Sequence, residues 1–300
     1  MKILSGRTHI ALARKLANII GCLYVESFIQ PFDDGELRIQ ILEDLYGEEV
    51  IIVQSTSKPV NDNLMELLLL IDAVNGAGAK NITAIIPYFG YSRQDRKFDD
   101  HGPIAARLVV SLLEATNLSQ IITMDLHSYP LEGFFKIPIL NLDPISIFAP
   151  IIESYKNPMI IAPDIGSIIR TRKVSQNFNM DIGIINKTRD IDNQCHVHDL
   201  IGDVKGRNCL IIDDIIDTGK TISKGAELLM KKGASSVNAF ITHAVLSSDV
   251  VHDIIDKSIV QNVYVTDTIV SEKISTKFHE LSIMKLIANS LNDNFVPKTP

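Results

Sequence analysis

Short runs of β-branched and apolar residues alternate with amphipathic helical segments along this chain, and the alternation constrains the fold more than any other feature. The strand-like runs are Val50–Val53, Ile82–Pro87, Gln120–Met124, Met159–Ala162, Asn208–Ile212 and Val237–Thr242. The helical patterns are Leu64–Asn75, Ile104–Ala115, Gly166–Phe178 and Lys220–Lys232. Strands that alternate with helices predict a mainly parallel sheet with helices on both faces, because parallel strands need a crossover. The expected fold class is therefore α/β.

A weak internal repeat in the sequence bears on the number of domains. Ile51–Gln54 leads through a loop and a helix to a Gly-Ala turn at 78–79, and Leu210–Asp213 leads in the same way to a Gly-Ala turn at 233–234. Any βαβ protein shows such echoes, so the repeat alone leaves the number open. A length of 300 residues suits two domains of about 150 each. With the break at Asp143-Pro144, we expect domains at 1–143 and 144–300.

Two local signals predict how the N-terminal part of the chain turns. A first helix is expected over Thr8–Ile20, with the Thr8 side chain as its N-cap and Gly21 just past its end. The Asp34-Gly35 pair lies between two apolar runs and suits the type I′ turn of a β-hairpin.

Charge, hydropathy and cysteine usage exclude several classes of function. Lys plus Arg number 29 and Asp plus Glu number 36, so the net charge is −7. A phosphate polymer or an anionic membrane surface favours basic partners, so we expect neither nucleic acid nor membrane as a partner. No apolar stretch approaches the roughly 20 residues that span a bilayer, and the start resembles no signal peptide. Three scattered cysteines without a CxxC pair are typical of reduced thiols, which predicts a cytoplasmic protein.

The segment from Cys209 to Thr221 is the strongest chemical signal. An apolar strand is followed by two carboxylates, Asp213 and Asp214, and then by a short loop that opens a helix. Free N–H groups at a helix start can hold a phosphate. The carboxylates would repel a phosphate, so they are better suited to accept hydrogen bonds from vicinal sugar hydroxyls. A sugar phosphate satisfies both parts of the segment, whose candidate phosphate-binding residues are Asp217, Thr218, Gly219, Lys220 and Thr221.

Two other interpretations of this segment are a nucleotide P-loop and a simple helix cap. The Gly-Lys-Thr tripeptide resembles the end of a nucleotide P-loop, but that motif needs Gly at position 214, which is Asp. A simple helix-capping turn would explain the carboxylates without any ligand, yet four polar groups in this order after a strand favour a binding site.

Several other polar residues follow predicted strands, and each can be interpreted as structural or as functional. The run from Arg93 to Lys97 is either a solvated loop or a phosphate contact, since a guanidinium fork suits phosphate oxygens. His127 and Asp164 close two apolar strands; a lone strand-end histidine is usually just hydrogen-bonded, and Mg²⁺ prefers oxygen ligands. Lys187 and Arg189, two apart at a strand end, project to one side and alone suggest an exposed edge.

Taken together and in order, these segments resemble the ribose-phosphate diphosphokinase family. The run 209–221 is similar to the sugar-phosphate signature of the type I phosphoribosyltransferase fold, whereas Phe32–Glu36 and Pro87–Arg96 resemble the ATP-binding motifs of the diphosphokinases. Further matching segments are Gln54-Ser55-Thr56, Asn61–Leu67, Asp125-Leu126-His127, Gly133-Phe134-Phe135 and Pro163–Gly166. The resemblance spans nearly the whole chain, and ordinary phosphoribosyltransferases lack the N-terminal motifs.

The resemblance implies two tandem phosphoribosyltransferase-like domains, with ATP on the side of 1–143 and ribose 5-phosphate on the side of 144–300. The implied reaction moves the diphosphoryl group of Mg-ATP to the 1-hydroxyl of ribose 5-phosphate. It further implies a homo-oligomer in which the hairpin 32–36 reaches the ATP site of a neighbouring subunit. The residues implied to bind ATP are Phe32, Asp34, Glu36, Arg93 and Gln94.

The family pattern also assigns the metal and the catalytic cations. The resemblance implies that His127 and Asp164 position the Mg²⁺ that accompanies ATP. It also implies that Lys187 and Arg189 stabilise charge on the transferring phosphates, and that the loop after Arg189 folds over the substrates. The implied ribose 5-phosphate set joins Arg189 to Asp213, Asp214 and the loop residues 217–221.

Two departures and two rival functions stay open. Lys220 stands where the family commonly has a small residue, and either tightens the sugar phosphate or points to solvent. The acidic segment Phe98–Pro103 replaces a basic one, which makes activation by inorganic phosphate doubtful. A phosphoribosyltransferase that uses a base would explain the C-terminal signature but leave the N-terminal motifs unused. A non-catalytic regulatory homologue would have little need of Lys187, Arg189, His127 and Asp164 together.

Overall fold

The structure, a computed structural model, describes residues 1–189, 195–271 and 275–295, without the side chains of 187–189, 195–198 and 293–295. The strands are β1 Lys2–Ser5, β2 Leu23–Tyr24, β3 Ser27–Pro31, β4 Leu37–Ile41, β5 Glu49–Val53, β6 Asn81–Ile86, β7 Gln120–Met124, β8 Ile139–Leu142, β9 Pro158–Ala162, β10 Ile182–Arg189, β11 Cys195–Ile201, β12 Asn208–Ile216, β13 Ser236–Ala244, β14 Val263–Thr266 and β15 Phe278–Leu281. The helices are α1 Ile10–Ile20, α2 Val60–Gly76, α3 Ala105–Glu114, α4 Ile145–Ile152, α5 Ile168–Phe178, α6 Lys220–Lys231, α7 Val250–Lys257 and α8 Met284–Phe295, with a 3-10 helix at Tyr129–Phe134.

The chain divides into two compact units, called unit 1 and unit 2 below. Unit 1 is built on Met1–Asp143, and unit 2 on Pro144–Asp267 with Ser271–Ser282. The short stretch Thr268–Val270 and the helix α8 belong to unit 1, where α8 packs on α1. The sequence-based assignment of all of 144–300 to the second domain therefore differs from the structure at its C-terminal end, because a long-range return of the chain leaves no local signal.

Unit 1 is organised around a six-stranded parallel sheet in the order β2-β1-β5-β6-β7-β8. The hairpin β3-β4 forms a separate two-stranded antiparallel sheet. The apolar stripe of α2, with Leu67, Leu70, Ile71 and Val74 at helical spacing, is buried in the core of this unit. Full burial of each such side chain contributes about 1.5–3 kcal/mol.

Unit 2 is organised around a seven-stranded sheet in the order β11-β10-β9-β12-β13-β14-β15. All neighbouring pairs are parallel except β10 and β11, which are antiparallel with a register shift between Asn186 and Lys187. The prediction of an α/β fold with two mainly parallel sheets is confirmed. No helix in the described part of the chain is both long enough and apolar enough to cross a membrane.

Two local expectations were wrong in detail. Strand β12 runs on to Ile216, so Asp213 and Asp214 lie inside it and do not follow it. Helix α1 begins at Ile10 with His9 in the N-cap position, because the Thr8 hydroxyl donates to Gln54 Oε1 (2.7 Å). Gly21 does end the helix in the left-handed region, with φ = +70°, as predicted.

Candidate active site

The loop after β12 holds the residues predicted to bind the sugar phosphate. Asp217 and Thr218 connect the strand to Gly219, which has φ = +71° and directly precedes α6. A Cβ at Gly219 would lie 3.2 Å from Val251 Cγ1 and 3.3 Å from Ile255 on α7, so both the backbone conformation and the neighbours favour glycine. The first N–H groups of α6 have no acceptor within the helix, so they are suited to bind an anion.

Two residues of this segment begin α6 and differ in exposure. Lys220 is exposed and Thr221 is half-buried. A lysine in the first helical turn meets the positive end of the helix dipole, an arrangement that is unfavourable unless an anion lies nearby. The position is compatible with a phosphate contact, and the role of Lys220 stays a prediction.

The carboxylates of β12 lie in unequal surroundings. Asp214 is buried, and its Oδ1 lies 3.4 Å from Arg170 Nη1 on α5. Burial raises the pKa of Asp213 well above its ordinary value, and the charges of Asp214 and Asp164 add to the rise while Arg170 opposes it. Asp213 as a whole residue is half-buried. Arg170 was missed by the sequence analysis, because nothing in an amphipathic helix marks the one arginine that faces a strand end.

Asp164 lies where β9 passes into α5, two residues beyond the strand. Its Oδ1 accepts a hydrogen bond from the Ser167 N–H (3.0 Å), and its carbonyl oxygen accepts one from Ser167 Oγ (2.9 Å). A Cβ at Gly166 would lie 3.3 Å from Asp164 Oδ1. This tight turn fixes the direction of the Asp164 side chain at the carboxyl edge of the sheet, which is where ligands bind in open α/β sheets.

The two predicted catalytic cations lie at the end of β10. Lys187 and Arg189 are both strand residues, paired in register with Val197 and Cys195. Their side chains lie outside the described residues, as do residues 190–194 of the polar loop that follows. Their assigned role in catalysis stays a prediction.

The predicted nucleotide hairpin is present, with a different turn. Phe32 N–H donates to Glu36 O (2.7 Å), and Gly35 N–H donates to Phe32 O (2.9 Å). Gly35 has φ = +93°, whereas Asp34 is not among the described residues with positive φ, so this is a three-residue loop with a glycine bulge and not a type I′ turn. The Asp34 side chain accepts from the Glu36 N–H (3.0 Å), and Phe32 is 53% exposed. The ring of Phe32 at the hairpin tip is thus open to solvent, and its predicted contact with a nucleotide stays a prediction.

The segment after β6 places Arg93 and Gln94 beside the start of α3. Gln94 N–H donates to Tyr91 O (2.9 Å), and the Ala106 N–H of α3 donates to Gln94 O (3.2 Å). Arg93 is exposed and Gln94 is half-buried. The backbone of this segment is thus held by hydrogen bonds, and it is not simply a solvated loop.

Asp95, next in the chain, was not singled out from the sequence. Only 8% of its side chain is exposed. Burial would raise its pKa, yet hydrogen bonds from Arg96 and Ser128, with the charges of Arg96 and His127, together hold the pKa of Asp95 below its ordinary value. The side chain therefore stays ionised next to the loop that carries His127.

Two of the family-matching segments in unit 1 form a buried polar network. Glu66, with no exposed side-chain surface, accepts hydrogen bonds from the Arg7 N–H (2.6 Å), from Arg7 Nε (2.6 Å) and from Gln54 Nε2 (3.1 Å). A Cβ at Gly6 would lie 2.3 Å from Gln54 Oε1, so only glycine fits there. A buried carboxylate with this many donors holds α2 against the carboxyl ends of β1 and β5.

The fold thus gathers the predicted residues into groups by unit. Unit 2 brings together the predicted phosphate-binding residues 217–221, called the phosphate loop below, the Asp213–Asp214 pair and Asp164. Unit 1 contains the hairpin, the Arg93–Gln94 segment and His127. Residues predicted to bind ribose 5-phosphate and to bind ATP therefore belong largely to different units.

A parallel sheet whose strand runs through two acidic residues into an Asp-Thr-Gly turn and a helix defines a protein of the phosphoribosyltransferase class. A family model described as the phosphoribosyl transferase domain matches residues 134–273, and one described as the N-terminal domain of ribose phosphate pyrophosphokinase matches residues 1–116. The chain belongs to the ribose-phosphate pyrophosphokinase family.

Individual relatives cover both halves of the chain. The ribose-phosphate pyrophosphokinase of Campylobacter jejuni is 42% identical over 96% of this chain and 93% of its own length. That of Maricaulis maris is 40% identical over 99% of both chains. The crystal structure of phosphoribosylpyrophosphate synthetase from Mycobacterium smegmatis matches with a TM-score of 0.91 and 33% identity, covering 98% of each chain. The family expected from the sequence is confirmed.

Proposed function

We infer that this chain transfers the β,γ-diphosphoryl group of ATP to the 1-hydroxyl of ribose 5-phosphate, giving phosphoribosyl pyrophosphate and AMP for nucleotide biosynthesis. The observation that carries the inference is the match of both halves: relatives named for this activity are similar over 96% or more of the chain. A phosphoribosyltransferase that uses a base would leave the match of residues 1–116 unexplained.

The reaction needs a clamp on the sugar phosphate and a means to stabilise charge. The oxygen of the 1-hydroxyl attacks the β-phosphorus of ATP and loses its proton, while the bond from the β-phosphorus to the α,β-bridging oxygen breaks and releases AMP. Residues Asp217 to Thr221 hold the 5-phosphate, and Asp213 with Asp214 accepts hydrogen bonds from the ribose hydroxyls. Lys187 and Arg189 offset the charge that develops on the transferring phosphates. Catalysis of this kind consists mostly of positioning and electrostatic stabilisation.

Mg²⁺ is the metal proposed to accompany ATP, with His127 and Asp164 as the residues that orient it. The donor chemistry fits: Asp164 offers a carboxylate held by Ser167, and Mg²⁺ commonly takes one or two protein ligands with water and substrate phosphates. Within the described residues, no group of three or more His, Cys, Asp and Glu could hold a metal. His127 suits a contact through water better than a direct one. When bound, the metal would neutralise charge on the phosphate oxygens.

The nucleotide contacts and the assembly complete the proposal. Arg93 and Gln94 contact ATP, and Phe32, Asp34 and Glu36 contact the adenosine of a nucleotide bound to a neighbouring subunit, so the active form is a homo-oligomer. The exposed aromatic ring of Phe32 at the hairpin tip supports this assignment. The scattered cysteines support a cytoplasmic location.

A single assay separates the proposed function from its rivals. The protein is incubated with Mg-ATP in the presence and absence of ribose 5-phosphate, and AMP is quantified. We expect AMP only when the sugar is present. A base-using phosphoribosyltransferase would form no AMP but would consume phosphoribosyl pyrophosphate with a nucleobase. A regulatory homologue would do neither.

A further inference from the structure

Two loops of unit 1 that follow neighbouring strands are joined by one short hydrogen bond. Strands β6 and β7 are adjacent and parallel, so the chain leaves both at the same edge of the sheet. The segment after β6 carries Asp95, and the loop after β7 carries His127 and Ser128. Ser128 Oγ donates to Asp95 Oδ2 at 2.6 Å. A hydroxyl bonded to a carboxylate at this distance is a strong, charge-assisted contact.

Asp95 is itself held in place. Its Oδ1 accepts a hydrogen bond from Arg96 Nε (2.9 Å), and the backbone just before it is fixed to Tyr91 and to the first turn of α3 through Gln94. The carboxylate is almost fully removed from solvent. It is therefore a fixed anchor for whatever it contacts.

The other side of the His127 loop has a second anchor. Leu126 N–H donates to Asn141 Oδ1 (3.1 Å) on β8, and Asn141 Nδ2 donates to Glu132 Oε1 (2.8 Å). Asp125, with φ = +42°, turns the chain sharply at this point. His127 therefore lies between two residues whose positions are both set by hydrogen bonds to other elements.

We propose that Asp95, acting through Ser128, is a positioning residue for His127, and that it couples this histidine to the nucleotide segment at Arg93 and Gln94. The inference rests on the proposed function, since it gives His127 its task toward the metal–nucleotide complex. A side chain that contacts a metal directly or through water depends on the partners that orient it, and loss of such a partner commonly costs 10–100-fold in affinity. Asp95 thereby joins the loop that carries His127 to the segment that carries Arg93 and Gln94.

The test compares nucleotide binding with and without metal. Ser128→Ala removes the donor, Asp95→Asn weakens the acceptor, and Ser128→Thr keeps a hydroxyl at the same position. Each variant is titrated by calorimetry with α,β-methylene-ATP, first with Mn²⁺ and then with excess EDTA. Ser111→Ala is the matched control, because the Ser111 hydroxyl bonds only a carbonyl within α3 among the contacts described. Circular dichroism and the thermal midpoint of each variant, compared with wild type, report whether it stays folded.

We expect Ser128→Ala and Asp95→Asn to weaken binding of the Mn²⁺–nucleotide complex about tenfold or more. Binding of the metal-free nucleotide should change less than about twofold. Ser128→Thr should bind the Mn²⁺–nucleotide complex with the affinity of wild type. An unchanged affinity for the Mn²⁺ complex would overturn the proposal. So would an equal loss with and without metal, which is the signature of a merely structural role. If the wild-type protein binds the complex but forms no AMP with ribose 5-phosphate, the proposed function fails, and the titrations still decide the positioning role.

Discussion

At the scale of single residues, the two acidic side chains of β12 illustrate how position decides charge. Asp214 is paired with Arg170, whereas burial raises the pKa of Asp213 and the charge of Asp214 adds to it. A carboxyl group whose pKa is higher in the folded state binds its proton more tightly there than in the unfolded chain. Its contribution to stability is therefore present at low pH and is lost as the pH rises above its ordinary value of 3.8 toward the raised folded pKa.

At neutral pH the ionised form of Asp213 is disfavoured by burial and by the charge of Asp214, which lowers the stability of the folded protein. Asp213→Asn removes this free-energy cost, so the ligand-free variant should unfold at a higher temperature than wild type at pH 7. The difference should shrink toward pH 4, where Asp213 is protonated in the folded protein. Thermal midpoints measured between pH 4 and pH 8 check this, with Asp72→Asn, an exposed carboxylate on α2, as the control. A difference that is constant with pH would contradict the assigned pKa. The variant should also lose affinity for ribose 5-phosphate, because the amide keeps only one of the two acceptor oxygens and loses the negative charge.

Lys187→Ala tests the charge-stabilising role assigned at the end of β10. Loss of one group that acts only in the transition state should cost about 3–4 kcal/mol, by analogy with a lost oxyanion-hole donor. We expect kcat to fall at least a hundredfold with a modest change in KM, measured by steady-state kinetics beside Lys232→Ala, an exposed lysine after α6. A fall of less than about tenfold would remove Lys187 from this role.

At the scale of elements, the phosphate loop depends on what lies beneath it. Gly219 is packed against Val251 and Ile255 of α7, so the position of the turn is set by α7. Sequence reasoning located this loop because its polar residues are consecutive. The sequence predicted too early an end for β12, since a buried strand is expected to be apolar. In the structure the strand continues through Asp213, which is half-buried, and Asp214, which is paired with Arg170.

Gly219→Ala separates backbone strain from loop distortion. Alanine at φ = +71° costs about 1–2 kcal/mol, and its Cβ would press on α7. Gly206→Ala is the matched control, with φ = +70° and no heavy atom within 4 Å of the added Cβ. We expect both variants to lose thermal stability, measured by calorimetry, with the larger loss in Gly219→Ala because of its contact with α7, and only Gly219→Ala to weaken ribose 5-phosphate binding. Equal sugar binding by the two variants would exclude a role for the Gly219 turn in the site.

The same scale shows which local predictions fail. The Thr8 hydroxyl donates to Gln54, which lies 46 residues further along the chain. The prediction of Thr8 as the N-cap of α1 was therefore wrong, because local sequence does not show this long-range partner. The Asp34-Gly35 pair predicted a hairpin correctly, but the turn type depends on how many residues separate the strands, which the pair does not specify. Asp95 gave no signal at all, because its importance lies in the contact with Ser128 on another loop.

At the scale of the whole molecule, the alternation of strands and helices predicted both units. It did not predict that the C-terminal end of the chain belongs to unit 1. The family resemblance assigned nucleotide and sugar phosphate to separate halves, and the described contacts place the respective residues in different units. Helix α8 joins unit 1 after the chain has completed unit 2. Long-range contacts of this kind have no period and no motif.

If the hairpin serves a neighbouring subunit, two inactive variants should restore activity together. One carries Phe32→Ala and Glu36→Ala, and the other carries Lys187→Ala. Co-expressed with different affinity tags and purified as mixed oligomers, they should show a substantial fraction of wild-type AMP formation, because an intact hairpin from one chain completes an intact site of the other. Each variant alone is the control. Mixed oligomers as inactive as their parents would contradict a shared site.

The most direct test of the central claim is a phosphorus NMR spectrum of the reaction with Mg-ATP and ribose 5-phosphate. Transfer of an intact diphosphoryl group predicts equal amounts of AMP and of a sugar diphosphate ester, formed at the same rate, with no ADP. Accumulation of ADP, or release of AMP without the sugar, would contradict it.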